Sequence, residues 1–155
     1  MIAVIQRVKN ASVVSNGILT GEIGQGLYLL LGVERDDEPS DAVVLAEKIS
    51  KLRIFSDDAG KMNFSVRDID GEVLVVSNFT LNANYEHGNR PDYLNSAPPE
   101  VANDLYLSFV SEMAARVRKC ATGVFGADMK TAMTTDGPVT IVMNSTVLRR
   151  KDRGR

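Results

Sequence analysis

The sequence predicts an α+β fold in which antiparallel or mixed β-sheets curl into a barrel-like core with two main flanking helices. Three observations carry that expectation. Short β-branched and apolar runs recur from Ile2 to Met143. Asn16-Gly17 and Asp70-Gly71 stand between such runs as hairpin signals. Two segments, around Leu45 and around Phe109, instead repeat their apolar residues at helical spacing.

In chain order, Ile2 to Val8 alternate into a first strand, and Val13-Val14 and Ile18 to Ile23 flank Asn16-Gly17 as a hairpin. Gly21, Gly24 and Gly26 fit neither G-x-G-x-x-G nor G-x-x-x-x-G-K-[ST], so they read as turn glycines rather than a phosphate cradle. Leu27 to Val33 is continuously apolar, as in a strand buried on both faces. Ser40 is placed to cap a helix with Asp41 in its first turn, and Leu45, Ile49 and Leu52 carry that helix to about Arg53. A short strand at Ile54-Phe55 meets the turn Ser56 to Gly60, whose aspartates lack the glutamate that would complete a calcium loop.

Asp70-Gly71 feeds the strand-like stretch Val73–Leu81. A polar, Pro-containing loop runs from Asn82 to Pro99 and holds the only histidine, His87, read as a solvated loop residue. Pro99 suits a first helical turn, and Val101, Leu105, Phe109, Met113 and Val117 repeat every four residues in a second, longer helix. Met129 to Thr134 and Val139 to Met143 read as two strands joined by Thr135-Asp136-Gly137-Pro138.

The 155 residues suit one domain, taken as 1–147, followed by a basic tail at 148–155 that is expected to be disordered. Net charge is −2; from Arg149 onward five basic residues and one acid contribute +4, which leaves −6 for the rest. The tail is either a solvated terminus or a tether for a polyanion such as RNA, while the acidic body argues against broad binding of a phosphate backbone.

No apolar run approaches the roughly 18 residues needed to span a bilayer, and the start lacks the order of a signal peptide. A cytoplasmic protein with no membrane association is expected. The single cysteine, Cys120, excludes an internal disulfide and, after the basic run Arg116 to Lys119 at an expected helix end, reads as structural. Without secretion, the Asn-x-Ser/Thr matches at Asn10, Asn63, Asn78 and Asn144 are chance matches.

Chemistry is concentrated in two stretches. Glu72 to Leu81 leaves a buried run and ends in Ser77, Asn78, Phe79 and Thr80, which puts hydroxyls and backbone N–H groups at a strand end. Thr135 to Thr140 holds Gly137-Pro138, where glycine leaves a carbonyl unshielded. The usual constellations are missing: no Ser-His-Asp set around a G-x-S-x-G elbow, no metal cluster, no P-loop. Thr80 is a conceivable nucleophile, but no base accompanies it.

Together these stretches carry a resemblance. Ser77-Asn-Phe-Thr-Leu81 is similar to the Ser-Gln-x-Thr-Leu motif of the D-aminoacyl-tRNA deacylases, also called D-tyrosyl-tRNA deacylases, and Asp136-Gly-Pro-Val-Thr140 matches their Asn-x-Gly-Pro-x-Thr motif from its second position. The opening Met1 to Val8, Arg53-Ile-Phe-Ser56, Lys61-Met-Asn63, Arg90-Pro91 and Ala127-Asp128-Met129 fall in the family's order, so the likeness runs from Met1 to about Met143.

The resemblance implies a homodimeric esterase, without metal or cofactor, that frees a D-amino acid from the 3′ end of mischarged tRNA and also acts on glycyl-tRNA. It implies a cis Gly137-Pro138 bond that reaches into the partner subunit's pocket, holds the substrate's ammonium by its carbonyls and excludes L side chains. Arg7 would brace that gate, and Ser77, Asn78, Phe79, Thr80 and Met129 would form the pocket, with Phe79 and Thr80 supplying oxyanion contacts and the tRNA's 2′-hydroxyl aiding water attack. Asn78 and Thr135 depart from the family's Gln and Asn. An alternative is a non-catalytic module for the tRNA 3′ end or a nucleotide; hydrolysis of unrelated small esters lacks a visible activated nucleophile.

Overall fold

The computed structural model describes residues 1–152, with side chains described as far as Arg149. Its organising element is β1 (Ile2–Ser15), whose side chains largely alternate between buried and partly buried. One edge of β1 pairs first with β3 (Gly26–Gly32) and then with β2 (Ile18–Ile23), both antiparallel. The other edge pairs antiparallel with β8 (Met129–Asn144) along almost its full length. Strands β6 (Glu72–Ser77) and β7 (Lys119–Thr122) extend the sheet in parallel, giving the order β2-β1-β3-β6-β7. The expected α+β class with a curled, mixed sheet is therefore present.

Asn16-Gly17 is a hairpin turn as expected, with φ of 48° and 82° at its two residues, the left-handed backbone that Asn and Gly tolerate. Gly24 lies in the turn between β2 and β3, as expected, whereas Gly21 and Gly26 lie within strands and serve close approach instead. A Cβ on Gly21, inside β2, would lie 2.7 Å from the Thr122 carbonyl of β7. The sheet thus curls until its two ends touch, and the glycine is what lets the backbones meet. A Cβ on Gly26 would fall 1.8 Å from the Glu72 carbonyl, on the parallel neighbour β6.

Other boundaries shift for identifiable reasons. Helix α1 (Pro39–Ser50) is capped at Glu38, not Ser40, because Pro39 takes the first helical position and the Asp41 carboxylate accepts the Glu38 N–H at 2.8 Å. Asp70-Gly71 turns the chain without making a hairpin, since both edges of β6 are taken by parallel partners, β3 and β7, and none is left for the strand before it. The strand before it, β5 (Met62–Phe64), pairs instead with β4 (Phe55–Ser56). Arg53 holds that small sheet to the end of α1 by donating to the carbonyl and the side-chain oxygen of Asn63, both at 2.8 Å.

Helix α2 (Pro99–Ala114) buries Leu105, Phe109 and Met113, but Val101 is exposed and Val117 lies past the helix end. A period of four drifts by about 40° per step on a helix with 3.6 residues per turn, so five such positions cannot share one face. Cys120 lies in β7 rather than at a helix end. One part of the core packs α1 and α2 against the sheet around Leu29, Leu45, Ile49, Val75 and Phe109. A second fills the barrel with Val8, Val13, Ile23, Tyr28, Leu74 and Val76.

The chain continues into a helix, α3 (Ser145–Asp152), so the division expected at 147 falls inside an element. Ser145 accepts a hydrogen bond from the buried Met1 ammonium at 2.7 Å, and that ammonium also bonds Asp37. Arg149 Nε lies 2.8 Å from the buried carboxylate of Asp41. Residues 153–155 of the basic tail lie outside the described residues.

The contact at Gly26 is between main chains, so no rotamer change can relieve it. Gly26→Ala is expected to destabilise the protein by about 3 kcal/mol or more, read as a shift of the urea unfolding midpoint.

Candidate active site

The ladder between β3 and β6 ends at the pair Leu31–Ser77, and the Asn78 N–H then donates to the Leu31 carbonyl at 2.8 Å. From there the chain turns into a 3₁₀ helix, Phe79–Asn82, with Asn78 extended at its cap. The strand expected to reach Leu81 therefore stops at Ser77. Such a start leaves first-turn donors without intrahelical partners, and the N–H groups of Phe79 and Thr80 have no acceptor among the described residues. Gly32 makes room for the turn, since a Cβ there would lie 3.1 Å from the Asn78 carbonyl.

Asn82 fixes the far end of the turn. It is buried, and its amide donates to the Val33 carbonyl at 2.7 Å and to Ser96 Oγ at 3.2 Å. In the sequence it reads only as the first residue of a polar loop, and no local signal marks its anchoring role. Phe79 leaves its ring 59% exposed, edge-on to Tyr93 at a centroid distance of 5.0 Å. Thr80 is exposed, and its hydroxyl donates to the Asn78 side-chain oxygen. That bond satisfies the shorter amide locally.

Ser77, Asn78 and Phe79 line a cavity of about 1150 Å³ together with Met129. Tyr28 and Tyr106 also line it. Burial pushes the Tyr106 phenol well above its ordinary range, and its hydroxyl donates to the Val75 carbonyl at 3.0 Å. Burial raises the Tyr28 phenol as well. His87 is exposed on its loop and does not line the cavity. Among the described residues no cluster of His, Cys, Asp and Glu could hold a metal ion, and no helix is long and apolar enough to cross a membrane.

The second stretch is not a loop between two strands. Residues Met129 to Asn144 form one strand whose pairing with β1 skips: Thr135 pairs with Val8 and Thr140 with Gln6. Asp136 to Val139 must therefore pass Arg7 alone, and they bulge outward. The Gly137-Pro138 bond is cis, and Gly137 has φ of 126°. Arg7 is largely buried and braces the bulge, donating from Nε to the Asp136 carbonyl at 3.0 Å and from Nη1 to the Ile54 carbonyl at 2.6 Å. Its Nε also lies 3.4 Å from the Asp136 carboxylate. Gly137 and Pro138 are exposed.

The chain thus gathers Ser77, Asn78, Phe79 and Met129 around one cavity, with Thr80 beside it. Arg7, Gly137 and Pro138 form a separate corner and line none of that cavity. Cys120 belongs to neither, and burial pushes its thiol up to about 11.

The cleft lies at a sheet end beside unpaired main-chain donors, and among the described residues lining it no side-chain nucleophile is hydrogen-bonded to a base. The chain belongs to the D-Tyr-tRNA(Tyr) deacylase family, whose model matches residues 4–144. Similar proteins include the D-aminoacyl-tRNA deacylase of Pelobacter propionicus, 52% identical over 143 residues, covering 92% of this chain and 99% of that one. The D-aminoacyl-tRNA deacylase of Thermosipho africanus is 51% identical over 145 residues, covering 94% and 97%. A solved structure of a c-Myc DNA unwinding element binding protein superposes with a TM-score of 0.87 at 39% identity, covering 93% of this chain and 98% of that one. A probable eukaryotic D-amino acid tRNA deacylase, at 12% identity, shares the fold with a TM-score of 0.81 over 92% and 97%.

The raised thiol pKa of Cys120 means that thiolate appears only as pH approaches that value. At pH 8 its alkylation by iodoacetamide is expected to be about a hundredfold slower in the folded protein than in urea, as followed by mass spectrometry.

Proposed function

We propose that the protein is a D-aminoacyl-tRNA deacylase, hydrolysing the ester between a D-amino acid and the 3′-terminal ribose of tRNA. The observation that carries this reading is 52% identity to a D-aminoacyl-tRNA deacylase across 92% of the chain. An aminoacyl ester is already activated, so catalysis consists of holding it, stabilising the oxyanion and admitting water. The free N–H groups at Phe79 and Thr80 suit the oxyanion role, where one donor is worth about 2.7–4 kcal/mol by analogy with other oxyanion sites. The tRNA's own 2′-hydroxyl orients the water and replaces an enzymatic base.

Chirality is judged, on this reading, by the Gly137-Pro138 corner of one subunit placed in the cavity of another. The corner's exposure and its separation from its own chain's cavity support that arrangement. Its carbonyls receive the substrate's α-ammonium and leave no space for an L side chain, while glycyl-tRNA, with no side chain to reject, is also cleaved. Arg7 fixes the corner, and Ser77, Asn78 and Met129 shape the pocket. The working form is a cytoplasmic homodimer without metal or cofactor.

Incubation with D-, L- and glycyl-tRNA, following ester loss, tests the activity. Loss of the D and glycyl esters with the L ester spared is expected; binding of the tRNA without turnover would identify a non-catalytic module. Thr80→Ala is expected to lower kcat/KM by about tenfold, the effect of one hydrogen bond. Complete loss in a folded variant would indicate a covalent threonine mechanism.

A Cβ at Gly137 would sit 3.0 Å from the Val139 nitrogen and 3.2 Å from Arg7 Nη2, at a φ that L residues avoid. Gly137→Ala is therefore expected to reduce the D-over-L ratio of kcat/KM by at least about tenfold. An unchanged ratio would refute the gate.

A further inference from the structure

Beyond the catalytic cavity, the ends of α1 and α2 and the segment around Arg67 enclose an open groove of about 580 Å³. Lys51, Arg53, Arg67, Arg116 and Arg118 line it, against Asp68 and Asp70. Five of the chain's 18 basic residues thus meet in one place, on a protein of net charge −2.

Part of this charge is already partnered. Lys51 pairs with Glu47 at 2.6 Å and Arg116 with Glu112 at 2.6 Å, each one helical turn away, while Arg118 pairs with Glu72. Lys51 and Glu47 are nevertheless 58% and 50% exposed, and a pair so exposed is worth about 0–1 kcal/mol. A phosphate can take the place of Glu47 at little cost, while Arg118 stays held by the largely buried Glu72. Arg53 donates only to the neutral Asn63, and the exposed Arg67 makes no ion pair among the described residues. The cations come from three separate segments of the chain, Lys51 and Arg53, Arg67, and Arg116 and Arg118, around an open groove. Five cations spread over three segments exceed what one phosphate group needs and suit a run of backbone phosphates.

The groove also has a fixed relation to the Gly137-Pro138 corner. Arg53 is followed by Ile54, whose carbonyl accepts Arg7 Nη1 at 2.6 Å, and the same guanidinium holds the Asp136 carbonyl beside Gly137. One side chain therefore sets both the corner and the edge of the cationic groove.

We propose that this groove binds the sugar–phosphate backbone of the acceptor end of the substrate tRNA, on the subunit that lends its Gly137-Pro138 corner to the pocket holding the ester. The inference rests on the deacylase reading above and adds the surface that carries the RNA. It reconciles an acidic body with a polyanionic substrate, because the contact is confined to one groove.

The test compares the unaltered protein with a Lys51→Gln/Arg67→Gln variant on two substrates, D-aminoacyl-tRNA and D-aminoacyl-adenosine; the latter has the ester but no phosphate backbone. The expected result is a KM for the tRNA raised about tenfold or more, with kcat and cleavage of the adenosine ester unchanged. The slope of log(kcat/KM) for the tRNA against log salt should become shallower by about 1.4–1.8, the loss of two phosphate contacts. A Lys51→Arg/Arg67→Lys variant, which keeps both charges, should retain the original KM. Equal kinetics of the Gln variant and the unaltered protein on the tRNA, or an equal loss on both substrates, overturns the groove assignment. Failure of the unaltered protein to cleave either substrate overturns the deacylase reading, and the groove proposal falls with it.

Discussion

The mismatch between β1 and β8 governs the molecule. Two strands paired over nearly their full length cannot accommodate Asp136 to Val139 opposite Arg7 alone without ejecting the excess. Arg7 replaces the missing ladder with side-chain bonds to Asp136 and to Ile54. The bulge is therefore held rigidly against two elements while its Gly137-Pro138 tip stays open to solvent. A loop between separate strands would give no such fixed placement.

Much of this was legible from residue order. The run Leu27 to Val33, the Asn16-Gly17 hairpin, Pro99 at a helix start and the helical spacing of Leu45 and Ile49 all depend on near neighbours, and all appear where expected. Features set by distant partners were not legible. Asp70-Gly71 has the chemistry of a hairpin turn, yet β6 finds a parallel partner in β3, far back in the chain. Thr135 to Pro138 looks like a connection because nothing local reveals that β1 continues beside it.

The site divides in the same way. Ser77 to Thr80 announced itself as short polar residues ending an apolar run, and the structure places Ser77, Asn78 and Phe79 on one cavity with Met129. What the side chains could not announce is the state of the backbone. The two unclaimed N–H groups depend on where the 3₁₀ turn begins, and that depends on Gly32 and on the buried amide of Asn82. Asn78, a shorter residue than the family's Gln, bonds Thr80 within the turn and so leaves these supports undisturbed.

The near-closure of the barrel has one more implication. Where β2 meets β7, the approach of Gly21 to Thr122 is a touching of main chains with no strand pairing between them. Every other junction around the wall is zipped by a ladder, so this slit is where the cylinder can breathe: it widens without parting a single interstrand hydrogen bond.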